Sequence, residues 1–319
     1  MSYQSIPTSF PTAWTTDYAP ARDDLRALYE KAKHEQWDGA TALAWSTDVD
    51  PARENFPDMQ IPIYGTPLWT KLTAAEKENL RHHAMAWTLS QFLHGEQGAL
   101  MATAQLVDAV PWMDAKLYAA TQVVDEARHV EVYERYLREK LELTYPVNRE
   151  LKTLLEQILG DPRWDLKYLG MQILVEGLAL AAFQFVHQMS REPLIKDLTH
   201  HVMRDEARHV AFGVMSLGDH FATQLSEAER TERIEFTYEA CRLMRDRFLQ
   251  REVWERLGFP VDECLELTLH SPAMAEFRRL LFMRIVPNVK KLGLLTPWLR
   301  DRFAELGILR FEHEAPSVA

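Results

Sequence analysis

The hexapeptide Asp-Glu-Ala-Arg-His-Val occurs twice in this chain, as Asp125–Val130 and Asp205–Val210. The copies lie 80 residues apart (205 − 125). Each copy's glutamate follows, by 30 residues, another glutamate set in an apolar stretch: Glu96 in FLHGEQGAL and Glu176 in MQILVEGLALAAF. Residues three apart on a helix share a face. Glu126 with His129, and Glu206 with His209, therefore each present a carboxylate and an imidazole together. One such copy alone reads as a solvated helix face. Two copies, each with a glutamate at the same upstream distance, demand more. Two helical hairpins related by a pseudo-two-fold axis bring all six side chains to the centre of one bundle.

That set matches a dinuclear carboxylate site: one glutamate from each of two helices and one Glu-x-x-His from each of the other two. The charges agree with it. Glu176 stands among Ile173, Leu174, Val175, Leu178, Ala179 and Leu180, where an unpaired carboxylate is costly. Four buried carboxylates would repel one another and take up protons. Two divalent cations balance them, and neutral imidazoles complete the coordination without added charge. Carboxylate and imidazole donors without thiolates suit iron or manganese. Metal-bound histidines commonly give their other N–H to a carboxylate. Asp125 is therefore expected to hold His209, and Asp205 to hold His129, crosswise between the halves. Arg128 and Arg208 read as salt-bridge partners. His200 and His201 lie near enough to Glu206 in sequence to be candidates for a supplementary ligand.

The rest of the chain reads as all-α. Residues 1–22, with Pro7, Pro11 and Pro20, form an extended arm. Residues 23–319 form a single helical domain, with the metal-binding four-helix core at about 73–225. Helical character begins at Asp23. Residues 46–69, with Pro51, Pro57, Pro62 and Pro67, read as irregular. Thr73–Glu76 and Ser226–Glu229 have the form of capping boxes. Helices are expected from Thr73 to near Pro111, Asp114–Leu143, Arg149–Leu159, Asp165–Met189, Pro193–Leu225 and from Ser226 to about Leu257. Two or three shorter helices fill 262–309.

Composition narrows the partners. The net charge of −11 argues against nucleic acid or an anionic membrane surface. Cys241 and Cys264 have no Cys-x-x-Cys spacing and are expected to be buried thiols. The N-terminal stretch lacks a basic start with an apolar core, and no continuous run of 18 apolar residues occurs, so no membrane span and a cytoplasmic location are expected.

At these residues the chain resembles the ferritin-like diiron carboxylate superfamily. It is most similar to the branch of ribonucleotide reductase small subunits and related ligand-binding oxidases. LYEKAKHEQW (28–37), HGEQGAL, DEARHVEVY, ILVEG and RDEARHVAFG follow that branch in order over about residues 23–225. The resemblance implies a ferritin-like four-helix bundle core with additional helices. It implies two iron ions, or one manganese and one iron, on Glu96, Glu126, His129, Glu176, Glu206 and His209. The function implied is an oxidase or oxygenase that uses dioxygen to oxidise a small, apolar organic molecule. An electron-donor protein (a ferredoxin or reductase) and a homodimer are implied as partners. Tyr133, four residues after His129, falls where radical-bearing small subunits carry their tyrosine. Trp37 falls near the family's electron-transfer tryptophan, and Asp205 at its relay aspartate. A radical-generating subunit and a non-catalytic metal store are the alternatives.

The chain also departs from the known branches. Its tail, GILRFEHEAPSVA, holds no tyrosine to pass a radical to a partner subunit. Met171 and Gly98 stand where ligand-binding oxidases join a tyrosine to a valine. Leu180 stands where hydrocarbon hydroxylases place a threonine. The aminobenzoate N-oxygenases share the ligand logic, but their additional histidine has no clear counterpart. One turn from the six residues, on the same faces, lie Phe92, Leu100, Val130, Gln172, Leu180, Phe183 and Gly213. They are the candidate lining of an apolar substrate pocket.

Overall fold

In the computed structural model, which describes residues 3–316 apart from Ala52, helix α1 (Asp23–His34) follows an extended arm. Leu25, Leu28 and Ala32 are the buried face of α1, at the spacing that lines up one side of a helix. The arm runs across the far end of the bundle. There the Ala13 amide donates to the Asp108 carbonyl, and Asp114 accepts the amides of Ala21 and Arg22. The proline-rich stretch is irregular, except for a 3₁₀ turn at Asp58–Gln60 and a short helix α2 (Pro67–Lys71).

Four long helices form the core: α3 (Ala74–Ala109), α4 (Met113–Tyr136), α6 (Trp164–Met189) and α7 (Pro193–Thr223). Helix α5 (Arg149–Gly160), capped by Asn148, joins the two halves. Thr73 and Glu76 close the predicted box at the start of α3, each satisfying an amide that the first turn leaves free. Helix α3 packs along α4, and α6 along α7. Helix α1 lies across α4 and α7. Hairpin therefore meets hairpin, and the repeat's polar faces turn into the core.

Helix α6 differs from expectation in two ways. It is long and apolar enough to cross a membrane by length and composition, yet 83% of its most apolar window is buried inside the bundle. Its segment Leu169–Val175, just before Glu176, is wound as π-helix. Such a segment adds a residue to the turn and shifts the register of every later residue in the helix. Gly170 sits within it where a Cβ would stand 2.6 Å from Ile158 Cγ1.

Helix α4 ends at Tyr136 and continues to Leu141 as a π turn. The helix expected to run to Leu257 is broken. Helix α8 (Glu227–Asp246) gives way to a 3₁₀ turn, Arg247–Leu249, and α9 (Arg251–Leu257) begins after Gln250, which is left-handed at φ 55°. The tail holds four helices where two or three were expected: α10 (Val261–His270), α11 (Pro272–Leu280), α12 (Ile285–Lys291) and α13 (Pro297–Glu305). Cys241 and Cys264 are buried free thiols. No strand occurs among the described residues.

Candidate metal centre

The six repeat-derived residues lie together at mid-bundle, all buried. Glu96, Glu126, His129 and Glu206 each offer one donor atom within 4.8 Å of the others. Glu126, Glu176 and His209 do the same. Glu126 belongs to both groups. His129 Nδ1 lies 3.2 Å from Glu96 Oε2 and 3.4 Å from Glu206 Oε1. His209 Nδ1 lies 3.0 Å from Glu126 Oε1 and 3.6 Å from Glu206 Oε1. Both imidazoles thus turn Nδ1 to the carboxylates.

Their Nε2 atoms face outward and crosswise. His129 Nε2 is 3.1 Å from Asp205 Oδ2, and His209 Nε2 is 3.3 Å from Asp125 Oδ2. An Nε2–H given to aspartate leaves an Nδ1 lone pair for the centre. The two arginines of the repeat tie the aspartates to each other. Arg128 donates to Asp205 (3.1 Å) and Asp125 (3.0 Å), and Arg208 donates to both as well. Three consecutive residues after α1 complete the network. Glu35 accepts from Arg208 (2.7 Å), Gln36 donates to Asp125 (2.8 Å) and accepts from Arg128, and the Trp37 indole donates to Asp205 (2.7 Å).

Electrostatics shows what the cluster lacks. Burial pushes the Glu96 and Glu176 carboxyls well above their usual range. Burial also works against ionised Glu126, but His209 and His129 more than reverse it and hold Glu126 below the usual range. Both histidines are raised despite burial, His129 chiefly by Glu96 and His209 chiefly by Glu126. Glu126 Oε2, Glu176 Oε2 and Glu206 Oε2 are buried without a hydrogen-bond partner, and His209 Nδ1 is out of hydrogen-bond geometry despite its short contacts. Orphaned acceptors are rare inside proteins because each is costly. Here they converge with lone pairs inward, so the donor set fits a pair of cations.

Gln122 was not singled out from sequence. Its amide donates to Glu126 (3.0 Å) and Glu176 (2.9 Å) and ties the two hairpins together. The available signal was its position one turn before Glu126 on the same face. Gln36 and Glu35 stand in the LYEKAKHEQW stretch, yet their position just beyond a helix end gave no sign of what they bond. No further histidine reaches the cluster among the described residues. His200 is exposed, His201 stacks on Trp37 with ring centres 4.7 Å apart, and His187 and His94 bond to carbonyls.

A narrow gap, with room for little more than a water molecule, opens on Glu96, Glu176 and Glu206. Phe92 and Phe183 line it. The other proposed lining residues do not: Leu100, Val130 and Leu180 are half-buried elsewhere. Gln172 bonds to Thr103 (3.4 Å), and Gly213 is closed off by Gln172, whose Cβ lies 2.7 Å from where its own Cβ would be. Most side chains one turn from the six residues meet neighbouring helices, and the gap lies where α3 and α6 face each other, with Glu206 and Arg247 at its edge. Phe92 also borders a roomier outer apolar cleft, open to solvent and walled by Met85, Phe185, Phe248, Met274 and Phe277. Tyr133 is fully buried with its hydroxyl unpartnered, its ring against Phe92 and Phe183.

Residues 20–293 match the family model of p-aminobenzoate N-oxygenase AurF. Against curated protein sequences the chain finds no match. Among solved structures it is similar to variants of an R2-like ligand-binding oxidase with an anaerobically reconstituted Mn/Fe cofactor. Two of these give TM-scores of 0.49 and 0.48 at 18% identity, each covering 86% of this chain and 94% of the other. An aerobically reconstituted Mn/Fe form gives 0.45 at 17% identity, covering 95% and 94%. The family match spans most of the chain and takes in both copies of the repeat: this protein belongs to the p-aminobenzoate N-oxygenase AurF family and is an oxidoreductase with a dinuclear non-haem metal cofactor.

Proposed function

We propose that the protein inserts oxygen from dioxygen into a small organic amine at a metal pair. One metal would be held by Glu96, Glu126, His129 and Glu206 and the other by Glu126, Glu176 and His209. The observation that carries this reading is the pair of donor groups that share Glu126, beside a gap faced by Phe92 and Phe183. When bound, the metals supply the reduction of dioxygen. For N-oxygenation, the amine gains one oxygen atom and the other leaves as water, with two electrons and two protons from a reductant protein of the ferredoxin or reductase class.

The chain's own residues do the rest. Asp125 and Asp205 fix the tautomer and aim of His209 and His129. Gln122 holds Glu126 and Glu176 in place. Phe92 and Phe183 keep water from the reacting face, which protects an oxidant from quenching. Trp37, half-buried at the surface and bonded to Asp205, which bonds to His129, offers a continuous route for electrons to enter. Tyr133 lacks a hydrogen-bonded base to receive its proton, which favours a packing role against Phe92 and Phe183 over a stored radical.

The test is to load the protein with iron(II), admit oxygen with and without p-aminobenzoate, and follow the optical spectrum and the product mass. An oxygen-dependent band that decays faster with the amine, and a product heavier by one or more oxygen atoms, is expected. No oxygen-dependent band in the iron-loaded protein would overturn the reading.

A further inference from the structure

The gap beside the donor groups has room for little more than a water molecule, so the body of an organic molecule must be seated elsewhere. The outer cleft adjoins that gap, because Phe92 lines both. Its walls are rings and thioethers. Phe185 and Phe277 lie with ring centres 4.7 Å apart, and Phe248 and Phe277 5.5 Å apart, with Met85 and Met274 beside them. The charged groups at its rim have partners. Arg81 holds Asp58 by two hydrogen bonds (2.6 and 2.9 Å), and Arg53, mostly in solvent, lies 3.6 Å from Asp50. Among the described residues no carboxylate lines the cleft. An ion inside it would lose water and gain no counter-charge.

One polar atom is left over. Gln250 lines the cleft, and its Oε1 is buried without a hydrogen-bond partner. A buried acceptor left unpaired is costly. The backbone beneath it is strained as well. Gln250 is left-handed (φ 55°, ψ 33°), a conformation that glycine takes freely and a residue with a side chain does not. The break between α8 and α9 sets this geometry, and Asn148 pins the break by donating to the Arg247 carbonyl (3.1 Å). An unpaired acceptor on a strained residue, facing an apolar cleft, calls for a bound donor.

We propose that the outer cleft binds the body of the substrate, an uncharged apolar molecule, and that Gln250 Oε1 accepts a hydrogen bond from an N–H group on it. The apolar part lies on Phe185, Phe248 and Phe277. The end that reacts lies toward Phe92, on whose other side stand Glu96, Glu176 and Glu206. Gln250 is thereby a specificity-determining residue supplied from outside the four-helix core. The proposal rests on the oxygenase reading in calling the bound molecule the substrate.

The test uses the full chain, loaded with zinc(II) or with manganese(II) and checked for metal content, and two probes alike in shape. Indole carries an N–H where indene carries a CH₂. NMR titration of the zinc(II) form gives the ratio of their affinities. That ratio should favour indole at least about fivefold more in wild type than in Gln250→Gly or Gln250→Leu. Gln250→Gly suits the left-handed backbone and should melt no lower than wild type, so its lost preference is not a folding failure. In the manganese(II) form the protons of bound indole should relax faster than in the zinc(II) form, because the metals lie just beyond Phe92. The same ratio in wild type and both variants, no binding of either probe to wild type, or equal relaxation in the two metal forms would each overturn the proposal. Failure of the oxygenase reading shows separately, as a missing oxygen-dependent band in iron-loaded protein, and leaves the indole–indene comparison unaffected.

Discussion

The two halves of the bundle carry the same hexapeptide and do different things with it. In the first half Glu96 stands in a regular helix; in the second Glu176 follows seven residues of π-helix. One turn before the Glu-x-x-His glutamate the first half has Gln122 and the second Val202. One turn after the histidine the first has Tyr133, packed against Phe92, and the second has Gly213, packed against Gln172. The outer faces differ too. Asp125 is met by Gln36, a redox-inert amide, and Asp205 by Trp37, an oxidisable ring. The six-residue donor scaffold is symmetric, while the side chains around it are not. Duplication can supply a pair of metal sites, and unequal neighbours then assign each a task.

The largest effect should come from the residue that both halves share. Glu126→Ala removes a donor from both groups and is expected to drop metal content from two per chain to below one, with loss of the oxygen-dependent band. Glu176→Ala removes a donor from one group only and should retain about one metal, as read by elemental analysis. Equal losses in the two variants would break the assignment of Glu126 to both groups.

The crossed aspartates come next. Asp125→Asn and Asp205→Asn should each weaken metal binding by about 10–100-fold. Only Asp205→Asn, and Trp37→Phe with unchanged metal content, should also slow reduction of the oxidised centre in stopped flow. Slowing by Gln36→Leu to the same degree would remove the asymmetry between the outer faces.

Metal loading should also follow pH. Burial raises Glu96 and Glu176, and the carboxylates raise both histidines, so the metal-free cluster holds protons at neutral pH that cations must displace. Apparent affinity should fall as pH drops from 8 to 6, with protons released on binding. Calorimetry in buffers of different ionisation enthalpy measures the release, and a buffer-independent heat would contradict it.

The smallest effects are in packing. Gly213→Ala should cost about 1–3 kcal/mol, because its Cβ would stand 2.7 Å from Gln172 Cβ. Tyr133→Phe removes a buried hydroxyl without a partner and should change stability by no more than about 1 kcal/mol, upward if at all. Thermal melts separate the two.

Much of this was legible in the chain. Equal spacing of Glu96, Glu126 and His129 with Glu176, Glu206 and His209 is a property of helix periodicity, which sequence records directly. The capping boxes at Thr73 and Ser226 are local and were readable for the same reason. The π segment before Glu176 was not. It depends on contacts such as Gly170 against Ile158, residues that only the fold brings together. The break at 247–250 contains neither proline nor glycine, so nothing local announced it, yet it delivers Arg247 to the gap. Gln36 and Glu35 were missed because they act from just beyond a helix end, across 89 residues or more of sequence.

Anomalous diffraction from crystals loaded with manganese(II) puts the central claim to the test most directly. Two peaks are predicted, one bounded by Glu96, Glu126, His129 and Glu206, the other by Glu126, Glu176 and His209. A single peak, or peaks bounded by other residues, would contradict it.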